Sequence, residues 1–155
     1  MIRPTKPTDI DQLVDMTAST GFFKPHEVVA LREVLDDYFL AESQTDHVCV
    51  TYDDGTPRGF AYFAPEPLAI DTWILWWIVV NPASQRHGIG KKLMQHFENE
   101  VRQRHGRVAF IDTSSLPAYE STRQFYLRLG YEQEAVLRDF FSPGDSKVIF
   151  RKPLV

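Results

Sequence analysis

The run of residues from Trp73 to His96 restricts the fold of this 155-residue chain more than any other part of its sequence. Residues 73–80 are apolar, and most are β-branched or aromatic, which is typical of a buried strand. Residues 81–90 form a turn-rich connection with one proline and two glycines. Apolar residues then recur every four positions, as in a helix that faces a core. These positions are Ile89, Leu93, Phe97 and Val101. The predicted order is strand, glycine-containing loop, helix.

This order of elements predicts an anion-binding loop. The first amides of a helix have no intrahelical partner, and the helix dipole adds positive potential at the same end. Glycine lets the backbone approach a phosphate closely, because it has no Cβ. Arg86, Lys91 and Lys92 add formal positive charge. A phosphate or pyrophosphate at residues 85–91 is therefore the predicted ligand.

The spacing of the glycines distinguishes between the known types of phosphate-binding loop. A dinucleotide-binding fingerprint would need a third glycine where Leu93 stands, and the P-loop pattern G-x-x-x-x-G-K-[ST] does not occur. The pattern that does occur is V-x-P-x-x-Q-R-x-G-x-G, from Val80 to Gly90. It resembles the acetyl-CoA-binding motif [QR]-x-x-G-x-[GA] of the GNAT (GCN5-related) N-acetyltransferases, which also follows a strand.

A second motif strengthens this resemblance. Residues 125–131, FYLRLGY, are similar to the family pattern F-Y-x-x-x-G-[FY] and follow the fifth predicted strand. The resemblance implies that Tyr126 lies near the sulfur of the coenzyme and protonates the departing thiolate. A phenol can donate to a developing thiolate in a site that excludes water. The alternative is a core tyrosine that packs a helix against the sheet.

The rest of the pattern predicts one domain over residues 1–155, of α/β (α+β) class. The predicted order β-α-α-β-β-β-α-β-α-β-β gives a mixed, mostly antiparallel seven-stranded sheet with helices on both faces, and it matches the GNAT order. The predicted strands are Met1 to Pro4, His47 to Tyr52, Gly59 to Ala64, Trp73 to Val80, Arg107 to Thr113, Tyr131 to Leu137 and Lys147 to Lys152. The predicted helices are one capped by Thr8, one with Pro25 in its first turn, one from Ile89 to about His105 and one from Tyr119 to Leu129.

Composition excludes several classes of function. The net charge of −4 gives no support for a nucleic-acid partner. No apolar run is long enough to span a membrane. The single cysteine, Cys49, cannot form an internal disulfide, and this predicts a reducing, cytoplasmic setting. The histidines lack the spacing of metal ligands, so no metal is predicted.

The resemblance implies acetyl-CoA as co-substrate, held in a V between the fourth and fifth strands. Main-chain groups of Ile78, Val79 and Val80 would pair with its pantetheine arm. The residues expected at the pyrophosphate are Gln85, Arg86, His87, Gly88, Ile89, Gly90 and Lys91. Tyr119 stands where many members of the family have an asparagine that touches the coenzyme.

The acceptor side of the site is less well defined by the sequence. Some members of the family carry a catalytic glutamate at the end of the fifth strand, where this chain reads Thr113-Ser114-Ser115, and others carry one on the central strand, where residues 72–80 contain no acid. The remaining candidates for the proton acceptor are Glu66, Asp71, Asp112 and Glu120, or a water chain. The predicted substrate wall consists of residues 21–27, 65–71 and 138–146. The last of these segments reads as a hairpin with half-buried Phe140 and Phe141, or alternatively as a lid.

These patterns predict an acyltransferase that moves an acetyl group from acetyl-CoA to a primary amine of a small molecule or peptide by direct attack in a ternary complex. One alternative is the same fold using a longer acyl-CoA. Another is a non-catalytic CoA-binding sensor or partner-binding module, because the usual carboxylate bases are missing. Exposed edge strands could also pair two copies into a homodimer.

Overall fold

A computed structural model describes residues 1–41 and 45–155. Its strands are β1 (Ile2–Pro4), β2 (Val48–Asp53), β3 (Pro57–Pro65), β4 (Thr72–Val80), β5 (Val108–Ser114), β6 (Glu132–Ser142) and β7 (Asp145–Pro153). Its helices are α1 (Ile10–Ser19), α2 (Pro25–Ala41), α3 (Ile89–Gln103) and α4 (Glu120–Arg128). The strands form a seven-stranded sheet in the order β1-β2-β3-β4-β5-β7-β6, in which β4 and β5 run parallel. The predicted fold class and element order are confirmed.

The chain forms two compact units. The first consists of Met1–Ala64 and Trp77–Asn99, and the second of Pro65–Trp76 and Glu100–Val155. The single domain expected over residues 1–155 remains a prediction. Among the described residues, the structure has no helix that is both long enough and apolar enough to cross a membrane.

In the first unit, helices cover both faces of the strands. Residues from α1 and α2 pack with apolar side chains of β2, β3 and β4 on one face. On the other face, the rings of Phe63 and Phe97 from α3 lie 4.9 Å apart. Gly59 of β3 permits this close packing, since a Cβ there would lie 2.9 Å from the Val79 carbonyl oxygen and 3.3 Å from Ile89. The start of α3 thus packs directly against β3.

Cys49 lies in the core of the first unit. Its buried thiol is expected to make the free energy of unfolding depend on pH. It is 1% exposed, and burial raises the pKa of its thiol to about 12. The thiol of an unfolded chain titrates at about pH 8.5, so above that pH the unfolded state loses a proton that the folded state keeps. The free energy of unfolding should then fall by about 1.4 kcal/mol per pH unit between about pH 9 and 11.

Urea unfolding at intervals between pH 7.5 and 10.5 checks this expectation. Cys49→Ala is expected to lower stability at neutral pH, because it leaves a small cavity, but to flatten the alkaline decline. Parallel declines for the wild type and the variant would show that the thiol does not cause the pH dependence.

In the second unit, β5 lies between the first half of β4 and β7. The parallel pairing runs from Thr72 opposite Val108 to Leu75 opposite Ile111. The full length of β5 pairs antiparallel with β7. On the face that carries α4, the ring centroid of Tyr126 lies 5.6 Å from that of Phe150 on β7.

Several predicted boundaries are corrected by the hydrogen bonds of the chain. Thr8 does not cap the first helix, because it lies inside a 3-10 turn, Pro7–Asp9, where the Asp9 carboxylate accepts the Lys6 N–H at 2.7 Å and pairs with Arg3 at 2.8 Å. The last hairpin is longer than predicted. Its turn contains only Pro143 and Gly144, whose φ of +83° suits a glycine at the third position of the turn.

Candidate functional site

The loop before α3 presents free amides at a helix start. The first helical bond runs from the Lys92 N–H to the Gly88 carbonyl at 3.0 Å, so the amides of Ile89, Gly90 and Lys91 precede the intrahelical pattern. Gly88 has a φ of +75°, and Arg86 has a φ of +69°. A non-glycine residue in the left-handed region costs free energy, and such strain is often found at ligand sites.

The shape of the loop fits a phosphate group. Residues 85–88 are exposed, and a Cβ built on Gly88 would meet no atom within 4 Å. The loop is held from behind, because the Asn81 side chain accepts the Ala83 N–H at 3.0 Å and Ser84 is buried. Successive backbone amides that face open space at a helix N-terminus are suited to an anion. The residues present therefore fit the predicted pyrophosphate.

The predicted pantetheine-pairing residues end β4, immediately before this loop. Val79 is buried in the core of the first unit, whereas Ile78 and Val80 are half-buried. The Gln85 side-chain amide lies 3.5 Å from the Val80 carbonyl oxygen. The parallel ladder that begins at Thr72 ends at Leu75, before these residues.

Tyr126 lies in the second unit, on α4. Its side chain is 3% exposed and packs near the rings of Phe125, Tyr131 and Phe150. Burial raises the pKa of its phenol, so the hydroxyl keeps its proton over the neutral and mildly alkaline range. Both predicted roles, donor to a thiolate and core packing, are compatible with this setting.

Helix α4 is fixed to the end of β5 by an arginine. The Arg123 guanidinium donates to the Ser114 carbonyl at 2.7 Å and to the Leu116 carbonyl at 3.0 Å. Arg123 and Tyr126 are three residues apart and thus neighbours on the helix surface. Tyr119, predicted to touch the coenzyme, is half-buried in the 3-10 turn that precedes α4.

Two of the acids that the sequence suggested as proton acceptors are engaged elsewhere. Asp112 forms an ion pair with Lys147 at 3.0 Å. Glu120 accepts hydrogen bonds from Gln124 and Arg123, and these lower the pKa of its carboxyl. Glu66 and Asp71 lie in the β3–β4 connection, where Glu66 caps the turn through a 3.4 Å contact with the Leu68 N–H. Among residues 1–41 and 45–155, no cluster of three or more side chains is suited to a metal.

The segment of residues 138–146 forms a hairpin rather than a separate lid. Phe140 and Phe141 are 55% and 46% exposed, so each ring is about half covered, as the hairpin reading expected. The Lys147 ammonium lies 4.4 Å from the Phe140 ring centroid. In the first unit, the ring of Phe23, in the predicted segment between α1 and α2, lies 5.4 Å from the ring of Trp77 on β4.

One polar pair was not predicted from the sequence. The Ser114 hydroxyl at the end of β5 donates to Asp145 at the start of β7 across 2.5 Å. The two residues are 31 positions apart, and no local motif links them. Only the strand pairing of Ser114 with Lys147, two residues beyond Asp145, could have indicated their proximity.

Comparison with known proteins agrees with this description. The family model of the Acetyltransferase (GNAT) domain matches residues 44–133. A Desulfovibrio desulfuricans protein assigned to the GNAT family is 33% identical over 100% of this chain and 99% of its own, with a TM-score of 0.95. No curated protein is recognisably similar in sequence. The strand, glycine loop and helix thus belong to an acetyltransferase fold. The chain is a member of the GNAT family of acetyltransferases, and acetyl-CoA fits this family as co-substrate.

More distant structures share the fold. An aminoglycoside 6'-N-acetyltransferase complexed with coenzyme A is 21% identical, covers 100% of this chain and 97% of its own, and gives a TM-score of 0.77. The ribosomal-protein-S18-alanine N-acetyltransferase from Escherichia coli is 17% identical, covers 99% and 93%, and gives a TM-score of 0.74. At these identities the likeness concerns the fold alone.

Proposed function

We propose that this protein transfers the acetyl group of acetyl-CoA to a primary amine of a small molecule or a peptide. The observation that carries the proposal is the start of α3, where the amides of Ile89, Gly90 and Lys91 precede the intrahelical hydrogen bonds beside two left-handed residues, Arg86 and Gly88. Together with the family membership, this loop supports acetyl-CoA as the donor. We propose a cytoplasmic setting, since the only cysteine is a free, buried thiol.

The residues of β4 and the loop would bind the donor. Residues 85–91 would hold the pyrophosphate through backbone amides and the charges of Arg86 and Lys91. The main chain of residues 78–80 would pair with the pantetheine arm in the manner of an added strand. His87, exposed in the loop, and Tyr119, which precedes α4, are proposed to contact the donor rather than to carry protons.

The chemistry needs no protein nucleophile. Cys49 is an unsuitable nucleophile, because it is buried and its raised pKa keeps the thiol protonated. The amine nitrogen would attack the thioester carbon directly, and the carbon–sulfur bond would break. Tyr126 would donate a proton or a hydrogen bond to the sulfur that leaves.

We propose a primary amine as the acceptor because structures with this fold are named for amine substrates of different kinds. One neighbour is named for an aminoglycoside and another for an alanine of a ribosomal protein. In this chain, the aromatic side chains of Phe23 and Phe140 supply apolar surface in two of the segments predicted to form the substrate wall. Such surface suits an amine attached to an apolar or ring-shaped body.

Calorimetric titration followed by a turnover assay tests the proposal. We expect saturable binding of acetyl-CoA with a Kd in the micromolar to sub-millimolar range, about 1 μM to 1 mM. We also expect release of free CoA with at least one member of a panel of primary amines. The panel contains an aminoglycoside, a peptide with an N-terminal alanine, phenethylamine and a simple diamine.

Three outcomes would contradict the proposal or part of it. Folded protein that does not bind acetyl-CoA would overturn it. Tight binding without turnover of any amine would favour the non-catalytic sensor or partner-binding module. Faster turnover with butyryl-CoA than with acetyl-CoA would favour the longer acyl donor.

A further inference from the structure

A buried carboxylate and a serine hydroxyl meet at the carboxyl end of β5. Ser114 is 7% exposed and Asp145 is 5% exposed. The Ser114 Oγ donates to the Asp145 Oδ1 across 2.5 Å, and the same Oγ accepts the Leu116 N–H at 3.0 Å. A serine oxygen has one proton and two lone pairs. These two hydrogen bonds leave one lone pair of Ser114 for a further donor.

The carboxylate of Asp145 has no cation as partner in the part of the chain that the structure describes. The neighbouring acids differ, because Asp112 pairs with Lys147 and Glu120 pairs with Arg123. Burying a charge with only a neutral partner is costly. The Asp145 Oδ2 accepts no hydrogen bond in the described structure, and this atom is not fully buried. It therefore touches solvent and can exchange a proton with it.

The pair lies next to the helix turn that carries Tyr126. Arg123 binds the Ser114 carbonyl at 2.7 Å and is a surface neighbour of Tyr126 on α4. β5 is one of the two parallel strands, and ligands of such sheets bind beyond the carboxyl ends of the parallel strands. The serine–aspartate pair thus lies at the end of β5 that Arg123 ties to α4, the helix that carries Tyr126.

We propose that Ser114 and Asp145 accept the proton of the acceptor amine, an inference that rests on the proposed function. An N–H of the bound ammonium donates to the free lone pair of Ser114. The amine proton passes to the Ser114 oxygen while the serine proton passes to the Asp145 carboxylate. The neutral amine then forms the carbon–nitrogen bond as the carbon–sulfur bond breaks, and the departing sulfur takes a proton from Tyr126. The second proton that the nitrogen loses replaces the one that Tyr126 gives up. Asp145 afterwards releases the proton to water.

The pH dependence of kcat/KM tests this assignment with the amine that is turned over fastest in the panel. The wild type is expected to reach its plateau well below the pKa of a free alkylamine, which is about 10. Asp145→Asn keeps an oxygen that accepts the Ser114 hydroxyl but cannot take its proton. Its kcat/KM should be about 100-fold or more below the wild type at pH 7 and approach the wild type near pH 10.

Matched variants separate a proton role from a structural one. Asp54→Asn alters a carboxylate of another hairpin turn, between β2 and β3, that pairs with Arg58 at 2.9 Å, and it should leave the pH profile unchanged. Ser114→Thr keeps a hydroxyl and should retain most activity, whereas Ser114→Ala should lose it as Asp145→Asn does. Melting temperature and acetyl-CoA affinity are measured for every variant. If Asp145→Asn fails to fold, the comparison of Ser114→Thr with Ser114→Ala tests the proton role.

An Asp145→Asn profile that matches that of Asp54→Asn, or that falls equally at every pH, would overturn the inference while the proposed function stands. Equal activity of Ser114→Ala and Ser114→Thr would do the same. A wild type that acetylates no amine would overturn the proposed function and this inference together.

Discussion

Replacement of Gly88 by valine is expected to weaken acetyl-CoA binding by about 100-fold or more, without unfolding the protein. The φ of +75° strains any β-branched residue there, and the new side chain enters the open space in front of the helix start. A hydrogen bond to a charged group is worth about 1.5–3 kcal/mol, so losing two amide contacts with a phosphate accounts for a change of this size. Calorimetry with acetyl-CoA measures the effect.

Two control variants distinguish backbone strain from occlusion. Gly55, in the β2–β3 turn, also has a positive φ, +113°, and no atom within 4 Å of its built Cβ. Gly55→Val should reproduce the loss of stability without the loss of affinity. Gly88→Asn tolerates the left-handed conformation better but still fills the space, so it should bind weakly while remaining stable. Wild-type affinity in Gly88→Val would remove the loop from the proposed site.

Replacement of Tyr126 by phenylalanine is expected to lower kcat by about 100-fold while the Kd for acetyl-CoA changes little. Phenylalanine keeps the contacts with Tyr131 and Phe150 but removes the hydroxyl that the proposed step uses. Because burial raises the pKa of Tyr126, the phenol stays protonated above its usual value near about 10. Wild-type kcat should therefore show no decline on the alkaline side up to about pH 10.

Single-turnover kinetics at several pH values measure this effect on the chemical step. Tyr131→Phe is the matched control, since it removes the hydroxyl of an adjacent buried tyrosine, 2% exposed, from the same cluster of rings. It should leave kcat within a few-fold of the wild type. An unchanged kcat in Tyr126→Phe would instead assign this tyrosine to core packing alone.

The parts of the site that are encoded within a short stretch of chain were predictable from the sequence. The strand, loop and helix of residues 73–103 follow from apolar periodicity and the position of Gly88, and the structure has α3 beginning at Ile89 as predicted. The break between α1 and α2 likewise follows from Gly21 and from Pro25 in a first helical turn. Local backbone preferences and side-chain periods suffice for such elements.

The parts that depend on pairing between distant strands were not predictable. The Ser114–Asp145 pair requires the register of β5 against β7, and apolar runs such as Val108 to Ile111 carry no register. The hairpin strands were predicted too short, because β6 is exposed along most of its length and lacks the apolar alternation of a half-buried strand. The Asp9 cap was missed for a similar reason, since its partner Arg3 lies on β1.

The two outer strands of the sheet bear on how this protein behaves in concentrated solution. β1 has 3 residues, too few to template another strand. β6 has 11 residues, but four of them are charged, and its ladder is interrupted where Asp139 adopts a φ of +56°. Short, charged and irregular margins resist joining to a second sheet. Association of two copies by strand addition is thus disfavoured.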